Sequence, residues 1–357
     1  MLDGRRRTLI ATLVAAAAFM TTGCSAGFGS RDEDVLVMSD NYSLTHPMGK
    51  GGTKAFKETL VKEGPDHGFK LDYYASGQLG KQWDIPTMIR TGAVDMGVIS
   101  PSYVSSEMPL STVADLPGLV EDSCIAGYAL KELVSEGGIL YEEEFKPLNI
   151  RPMWIGIIPK YEAMAGDRPV RTPKDLNGTV LRSTGGAQDR IVDAVHAAGV
   201  GMPIADLYEA MTRGTVEGTV ASPVSITPYG LEEVIGYSTS GANLGSFTAI
   251  YVVNEDTWQG LSKEQQGFIQ AQADIAQANV CKQLNKSVAE SSKKMAESGV
   301  EFIDVEPHKK EWDNLLEPTR QGWVDDIEST GRPAGKVLAE FERALKANAH
   351  HADSEVQ

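Results

Sequence analysis

FKLDYYASGQLGKQWDIPTMIRTGAVDMGVIS, residues 69–100, decides how this chain folds. FKLDYYA has the β-branched and aromatic character of a strand, and SGQLG stops it with turn residues. Gln82 to Arg90 then carries helical spacing, and TGAV leads into DMGVIS, a short apolar strand. Strand, helix and strand in so few residues is the unit of a parallel sheet with helices packed on its faces.

Upstream, the same rhythm begins one unit earlier. Val35 to Met38 is a short apolar strand broken by SDNYSLTHP. Met48 to Glu63 then sets Ala55, Phe56, Thr59 and Leu60 on one side of a helix, and PDHG turns the chain into the strand at Phe69. Downstream the rhythm returns. RPMWIGI and YEAMAG are strand-like, TPKDLNG is a turn with a short helix, TVLRS is a strand, and Ala187 to Ala198 is a helix. GVGMPIA, a helix from Asp206 to Thr212 and the strand TVEGTVAS complete a second α/β unit. In open α/β sheets, ligands bind at the carboxyl ends of the strands.

SFTAIYVVN, from Ser246, is a strand that heads back toward the first unit. The following stretch, LSKEQQGFIQAQADIAQANVCKQLNKSVAESSKKMAESG, has no proline, and as a helix it spans about 50 Å. That length suits a spine lying across both units. VEFIDVE is a late strand, Lys310 to Leu345 forms terminal helices, and ANAHHADSEVQ is a polar tail.

The chain has 357 residues, enough for two domains or one two-lobed body. Its start, GRRRTLIATLVAAAAFMTTGC, has a basic end, an apolar run from Thr8 to Met20 and small residues before Cys24. This is the pattern of a secretory signal over residues 1–23. Thr22, Gly23 and Cys24 resemble a lipoprotein-processing box, which makes Cys24 the expected lipid-bearing first residue of the mature chain. The alternative is an ordinary signal with Cys24 incidental. Arg5 to Arg7 favour the general secretory route over twin-arginine export, because Thr8 stands where a hydrophobic residue belongs. Residues 24–33 read as a flexible tether.

The net charge is −16, and removing residues 1–23 takes away three arginines and one aspartate, which leaves −18. So acidic a chain does not bind nucleic acid through its phosphates, nor anionic lipid through a basic patch. Anchoring to a membrane falls to the lipid. Cys124 and Cys281 are too few for a disulfide framework, and both a disulfide and two buried thiols are compatible with their spacing. Six histidines are scattered, with no metal-binding spacing, phosphate-cradling loop or nucleophile elbow, so no cofactor, metal or catalysis is expected. The acidic run at Glu142 reads as a solvated helix face.

Four stretches carry a resemblance when taken together in order and spacing. They are YYASGQLGKQWDIPTMIRTGAVDMGVIS, RPVRTPKDLNGTVLRSTGG, GMPIADLYEAMTRGTVEGTVASP and VVNEDTWQGLSKEQQ. With them the chain resembles the solute-binding proteins of tripartite ATP-independent periplasmic (TRAP) transporters of the DctP type, from about Val35 to Leu345. The resemblance implies an α/β clam-shell of two lobes, joined by crossing strands and a long spine helix. Such a shell closes on a small organic acid and delivers it to a TRAP membrane permease. It places residues 34–159 and 246–285 in lobe I, 160–245 and 286–347 in lobe II, and 348–357 in the tail.

The resemblance also points to residues. Arg182, on the strand after the DLNG turn, stands where the family holds the ligand's carboxylate. A guanidinium suits this role because its planar fork matches a carboxylate in two parallel bonds and keeps its charge. The alternative is a structural ion pair with one of the chain's own acids. Tyr103 and Ser100 fall where lobe I meets the ligand, and Gln82, Asn41 and His46 occupy loops where polar contacts are common. Tyr161 stands near a second anchor position that many members fill with a basic or polar group. Ser222 replaces a usual asparagine, and Ile204 a usual phenylalanine. Tyr161 in place of a second arginine suits fewer negative charges or an aromatic or apolar body, Ile204 speaks against a stacked ring, and the ligand's identity stays open. Two rival functions are a binding protein serving an ATP-driven importer or a sensor, and a secreted enzyme acting on organic acids.

Overall fold

β1 (Asp34–Ser39) is followed by a π-helical turn (Gly49–Thr53), α1 (Lys54–Glu63), β2 (Phe69–Tyr74), α2 (Ile85–Arg90) and β3 (Met96–Ile99). β1 pairs in parallel with both β2 and β3, as short helical crossovers require. α3 (Ser123–Val134) then precedes β4 (Ile150–Ile158) and β5 (Glu162–Ala165). These elements belong to a computed structural model that describes residues 34–352. The expected signal, Cys24, the whole tether and residues 353–357 of the tail lie outside the described residues.

Only residues 159–161 separate β4 from β5, yet the two strands belong to different sheets. The second unit runs through β6 (Val180–Ser183), α4 (Ala187–Ala194), β7 (Ala198–Gly201), α5 (Leu207–Thr212), β8 (Gly218–Ala221) and β9 (Tyr237–Ser240). β10 (Phe247–Asn254) returns to the first sheet and lies antiparallel between β3 and β4. α6 (Glu255–Gly260), α7 (Lys263–Glu297), β11 (Glu301–Asp304), α8 (Lys309–Glu328) and α9 (Ala334–Ala347) complete the chain. The sheet orders are β2-β1-β3-β10-β4 and β11-β9-β5-β8-β6-β7. Two strand crossings therefore join two α/β lobes, as expected.

The crossings are pinned to each other. Tyr161 donates its N–H to the Gly245 carbonyl at 3.0 Å, and Leu244 donates to the Tyr161 carbonyl at 2.7 Å. α7 is the third connection. A capping box of Ser262 and Gln265 starts it, and Ile269, Ala273, Ala276, Val280 and Leu284 form its buried stripe. β4 is an edge strand, and the Gln277 side chain covers it by accepting the Ile155 N–H at 2.8 Å. Farther along, α7 packs on the turn Pro223–Ser225 of the second lobe. Cys124 on α3 and Cys281 on α7 are joined as a disulfide, which resolves the alternative the sequence left open.

Several expectations need correction. The helix expected to reach Ala198 ends at Ala194, because His196 adopts a left-handed φ of 55°. The chain then enters β7. The run at Glu142 is not wholly solvated, since Glu144 is buried and accepts from the backbone of Leu110 and Ser111. Residues 286–347 do not all pack with lobe II: α9 buries Val337, Phe341 and Ala344 in a core shared with Leu130 and Leu133 of α3. The tail also begins docked. Asn348 donates to Glu132 at 2.6 Å and His351 stacks on Tyr128 at 3.8 Å.

Candidate ligand site between the lobes

Arg182 sits on β6 in the second lobe and is only 1% exposed. Its Nε donates to the Met202 carbonyl at 2.9 Å, which fixes the plane of the guanidinium. Its Nη2 donates to the Tyr103 hydroxyl at 2.9 Å. Tyr103 belongs to the turn Pro101–Val104 that follows β3, so this bond crosses from one lobe to the other. The remaining nitrogen, Nη1, is buried without a hydrogen-bond partner. No ion pair joins Arg182 to an acid among the described residues, so the structural-pair alternative finds no partner. A buried charge left short of partners is costly.

The lobes touch beside it. Gly185 has φ 91°, and a Cβ there would lie 2.6 Å from the Ser102 carbonyl oxygen of the first lobe. Gly186, at φ 60°, approaches Thr112 and Ser105. The STGG sequence therefore supplies a backbone bare enough for the lobes to meet. Ser183 shapes the same loop by donating to Asp189 and accepting the Gly185 N–H at 2.9 Å. At the rim, Lys81 faces Asp206 across the lobes at 3.8 Å, an exposed pair that adds little.

Tyr161 is buried in the first crossing. Burial drives its hydroxyl well above the ordinary phenol range, opposed by the charge of Arg182. Beside it, Gln188 on α4 is wholly buried, and both amide atoms lack a well-formed hydrogen bond. On the first lobe, His46 is 1% exposed and lies between Tyr42, at 4.6 Å, and Tyr229 of the second lobe, at 5.9 Å. Its Nδ1 accepts the Met48 N–H at 3.1 Å, while Nε2 has no partner. Burial pushes the imidazole down to about 3, so it is neutral at ordinary pH. The Tyr42 hydroxyl is likewise buried and unpartnered. Asp40, raised by burial to about 6, is already bonded to the Tyr42 N–H, Thr53 and Tyr251.

The structure thus brings Arg182, Tyr103, Tyr161 and His46 into one neighbourhood. Ser100 lies close by, with its carbonyl accepting the Tyr103 N–H at 3.0 Å. Asn41 donates to the Gly80 carbonyl at 3.2 Å and keeps a buried Oδ1 without a partner. Ser222 is spent locally, its Oγ accepting from Val224 at 3.4 Å as a turn cap. Gln82 is half-exposed before α2 and has no bond to the cluster. Tyr42, Tyr229 and Gln188 join the site unanticipated. Only proximity to Asn41 and to the STGG turn hinted at Tyr42 and Gln188. An open groove of about 710 Å³ along α7, beside Lys50 and Lys282, holds no such buried unpartnered side chain.

Residues 38–324 match the DctP family, described as bacterial extracellular solute-binding protein, family 7. The ectoine-binding periplasmic protein TeaA of Halomonas elongata is 25% identical over 320 residues, covering 87% of this chain and 91% of TeaA. The C4-dicarboxylate-binding periplasmic protein DctP of Rhodobacter capsulatus is 24% identical over 305 residues, covering 82% and 87%. A marine metagenome TRAP solute-binding protein, solved with metahydroxyphenylacetate, superposes with a TM-score of 0.80 at 18% identity, covering 88% of this chain and 99% of its own.

Proposed function

The chain belongs to the DctP family of bacterial extracellular solute-binding proteins, and from that premise we propose that it captures a small organic carboxylate between its lobes and hands it to a TRAP permease. One observation carries the choice of ligand chemistry: the guanidinium of Arg182 is buried with Nη1 unpartnered, and it forms no ion pair with an acid among the described residues. A carboxylate is the counter-ion this geometry calls for, since the fork of Arg182 offers it charge and direction at once. Tyr103 can assist. Its oxygen accepts from Arg182 and from the Ile204 N–H at 3.3 Å, so its own proton is free for a ligand oxygen.

Capture follows from contact with both lobes. A ligand held by Arg182 of lobe II and by Tyr103, His46 and Tyr42 of lobe I gains energy only when the lobes meet, which is the condition for ligand-driven closure. The hinges are the crossings at 159–161 and 241–246, with α7 alongside. The buried disulfide agrees with an oxidising, extracytoplasmic compartment. Lipid attachment at Cys24 would tether the protein to the membrane, and Cys24→Ala would then move it from membrane to soluble extracts.

The anchor is tested by thermal shift and calorimetry with a set of mono- and dicarboxylates. A ligand at a hundred times its Kd raises stability by about 2.7 kcal/mol. Arg182→Ala should abolish the shift, while the variant alone still unfolds cooperatively. A retained shift in that variant would exclude Arg182 as the anchor.

A further inference from the structure

We infer that the site takes a singly charged acid with a neutral body, carrying a hydrogen-bond acceptor at the end away from its carboxylate. Dicarboxylates and amino acids of the same frame are rejected. This rests on the carboxylate-binding reading of Arg182.

The two ends of the cluster differ in charge. Arg182 is the cation, bonded to Tyr103 at 2.9 Å, whose field reaches Tyr103, Tyr161 and Tyr229, with Asp206 and Asp115 acting more weakly on the first two. At the other end, Asp40 accepts the Tyr42 N–H at 2.8 Å, and the Tyr42 ring lies 4.6 Å from that of His46, so a carboxyl backs the His46 end of the cluster, where its field reaches Tyr42 and Tyr229. A ligand with its carboxylate on Arg182 therefore points its far end toward Asp40, where a second carboxylate meets repulsion.

His46 defines what that far end can hold. Because Nδ1 accepts the Met48 N–H at 3.1 Å, the proton of the neutral ring resides on Nε2, which is buried and has no partner. Nε2–H is thus a neutral donor of fixed tautomer between the rings of Tyr42 and Tyr229. The Tyr42 hydroxyl beside it is a second unpartnered group. A hydroxyl, ether or carbonyl oxygen satisfies both. An ammonium would instead face a donor, and the Asp40 oxygens that could neutralise it are already bonded to Tyr42, Thr53 and Tyr251 at 2.8, 2.7 and 3.0 Å. Sites built to hydrogen-bond a ligand group discriminate strongly against analogues that leave that group unpaired.

Calorimetry of the mature chain against two isosteric series decides it. The aromatic series is meta- and para-hydroxybenzoate, the matching phthalates, the matching aminomethylbenzoates and benzoate as parent. The aliphatic series is gamma-hydroxybutyrate, succinate and gamma-aminobutyrate. Within whichever series binds, the hydroxy acid should be at least about tenfold tighter than its dicarboxylate and amino counterparts. His46→Phe should bring the ratio of hydroxy to parent acid toward one, and His46→Gln, which keeps a donor, should restore part of it. A dicarboxylate or amino acid that binds equally well or better overturns the inference alone. Failure of every acid in both series, or full binding by Arg182→Ala, overturns the carboxylate reading beneath it.

Discussion

Arg182 and Gly185 are three residues apart on one strand end, and they show how a single side chain and the lack of one serve the same event. In the proposed site Arg182 would supply the charge that holds the ligand, and Gly185 lets the Ser102 carbonyl of the first lobe approach the loop beside it. A side chain at Gly185 would meet that carbonyl at 2.6 Å and would also sit at φ 91°, a conformation costing L-residues about 1–2 kcal/mol. Gly185→Val should therefore keep the lobes apart. Its ligand affinity should fall by more than about tenfold, more than the drop in melting temperature of the unliganded protein would account for. Unchanged affinity would show that the Gly185 approach is not part of closure. Arg182 itself was legible in the sequence, because an arginine after an apolar strand and before STGG is chemically conspicuous. Tyr42 and Tyr229 were not, since a lone tyrosine in a turn looks the same whether it lines a site or covers a core.

At the scale of elements, the spine helix is bound to the first lobe more firmly than its sequence suggested. Cys124 and Cys281 link α3 to α7 across 157 residues. Asn285 on α7 also accepts the Ser123 N–H at 2.8 Å. The part of α7 that lies on lobe I is therefore held, and bending during the proposed closure falls to the strand crossings and to the helix beyond Asn285. Closing a loop of this length stabilises by up to about 5 kcal/mol in the chain-entropy account. Replacing both cysteines by serine should lower the urea midpoint accordingly, and an unchanged midpoint would mean that α7 and α3 dock without help from the bond. The length and continuity of α7 were readable from an unbroken stretch free of proline. The docking of α9 on α3 was not, because the stripe of Val337 and Phe341 would fit any apolar partner.

For the whole molecule, buried acids set the response to pH. Burial raises Asp40 to about 6, Asp115 to about 7 and Glu144 to about 7. Each folded value exceeds that of the unfolded chain, near 4. The stability these groups contribute is thus complete below about pH 4 and is lost as pH rises through 6 to 7. His46 acts oppositely. Its folded value of about 3 lies under the unfolded one, so its contribution is present above about pH 6.5 and lost on acidification toward 3. The buried carboxyls, which also include Glu162, raised by burial, outnumber the lowered imidazoles His46 and His351, and with a net charge of −16 adding repulsion at higher pH they predict a melting temperature that falls from pH 5 to pH 8. Asp115→Asn should flatten that decline. A melting temperature that climbs over this interval would refute the assignment.

The sequence by itself determined the two α/β units, their strand crossings and the spine helix, because periodicity and turn chemistry are local properties, and it singled out Arg182 at the end of an apolar strand. Only the tertiary structure decided that the two cysteines pair, that α9 and the start of the tail belong with the first lobe, and that Glu144 is buried. It also decided that His46 carries its free proton on Nε2 and that Gly185 meets Ser102. Each of these depends on which distant segment arrives opposite, and that is set by how the crossing strands bring the two sheets together.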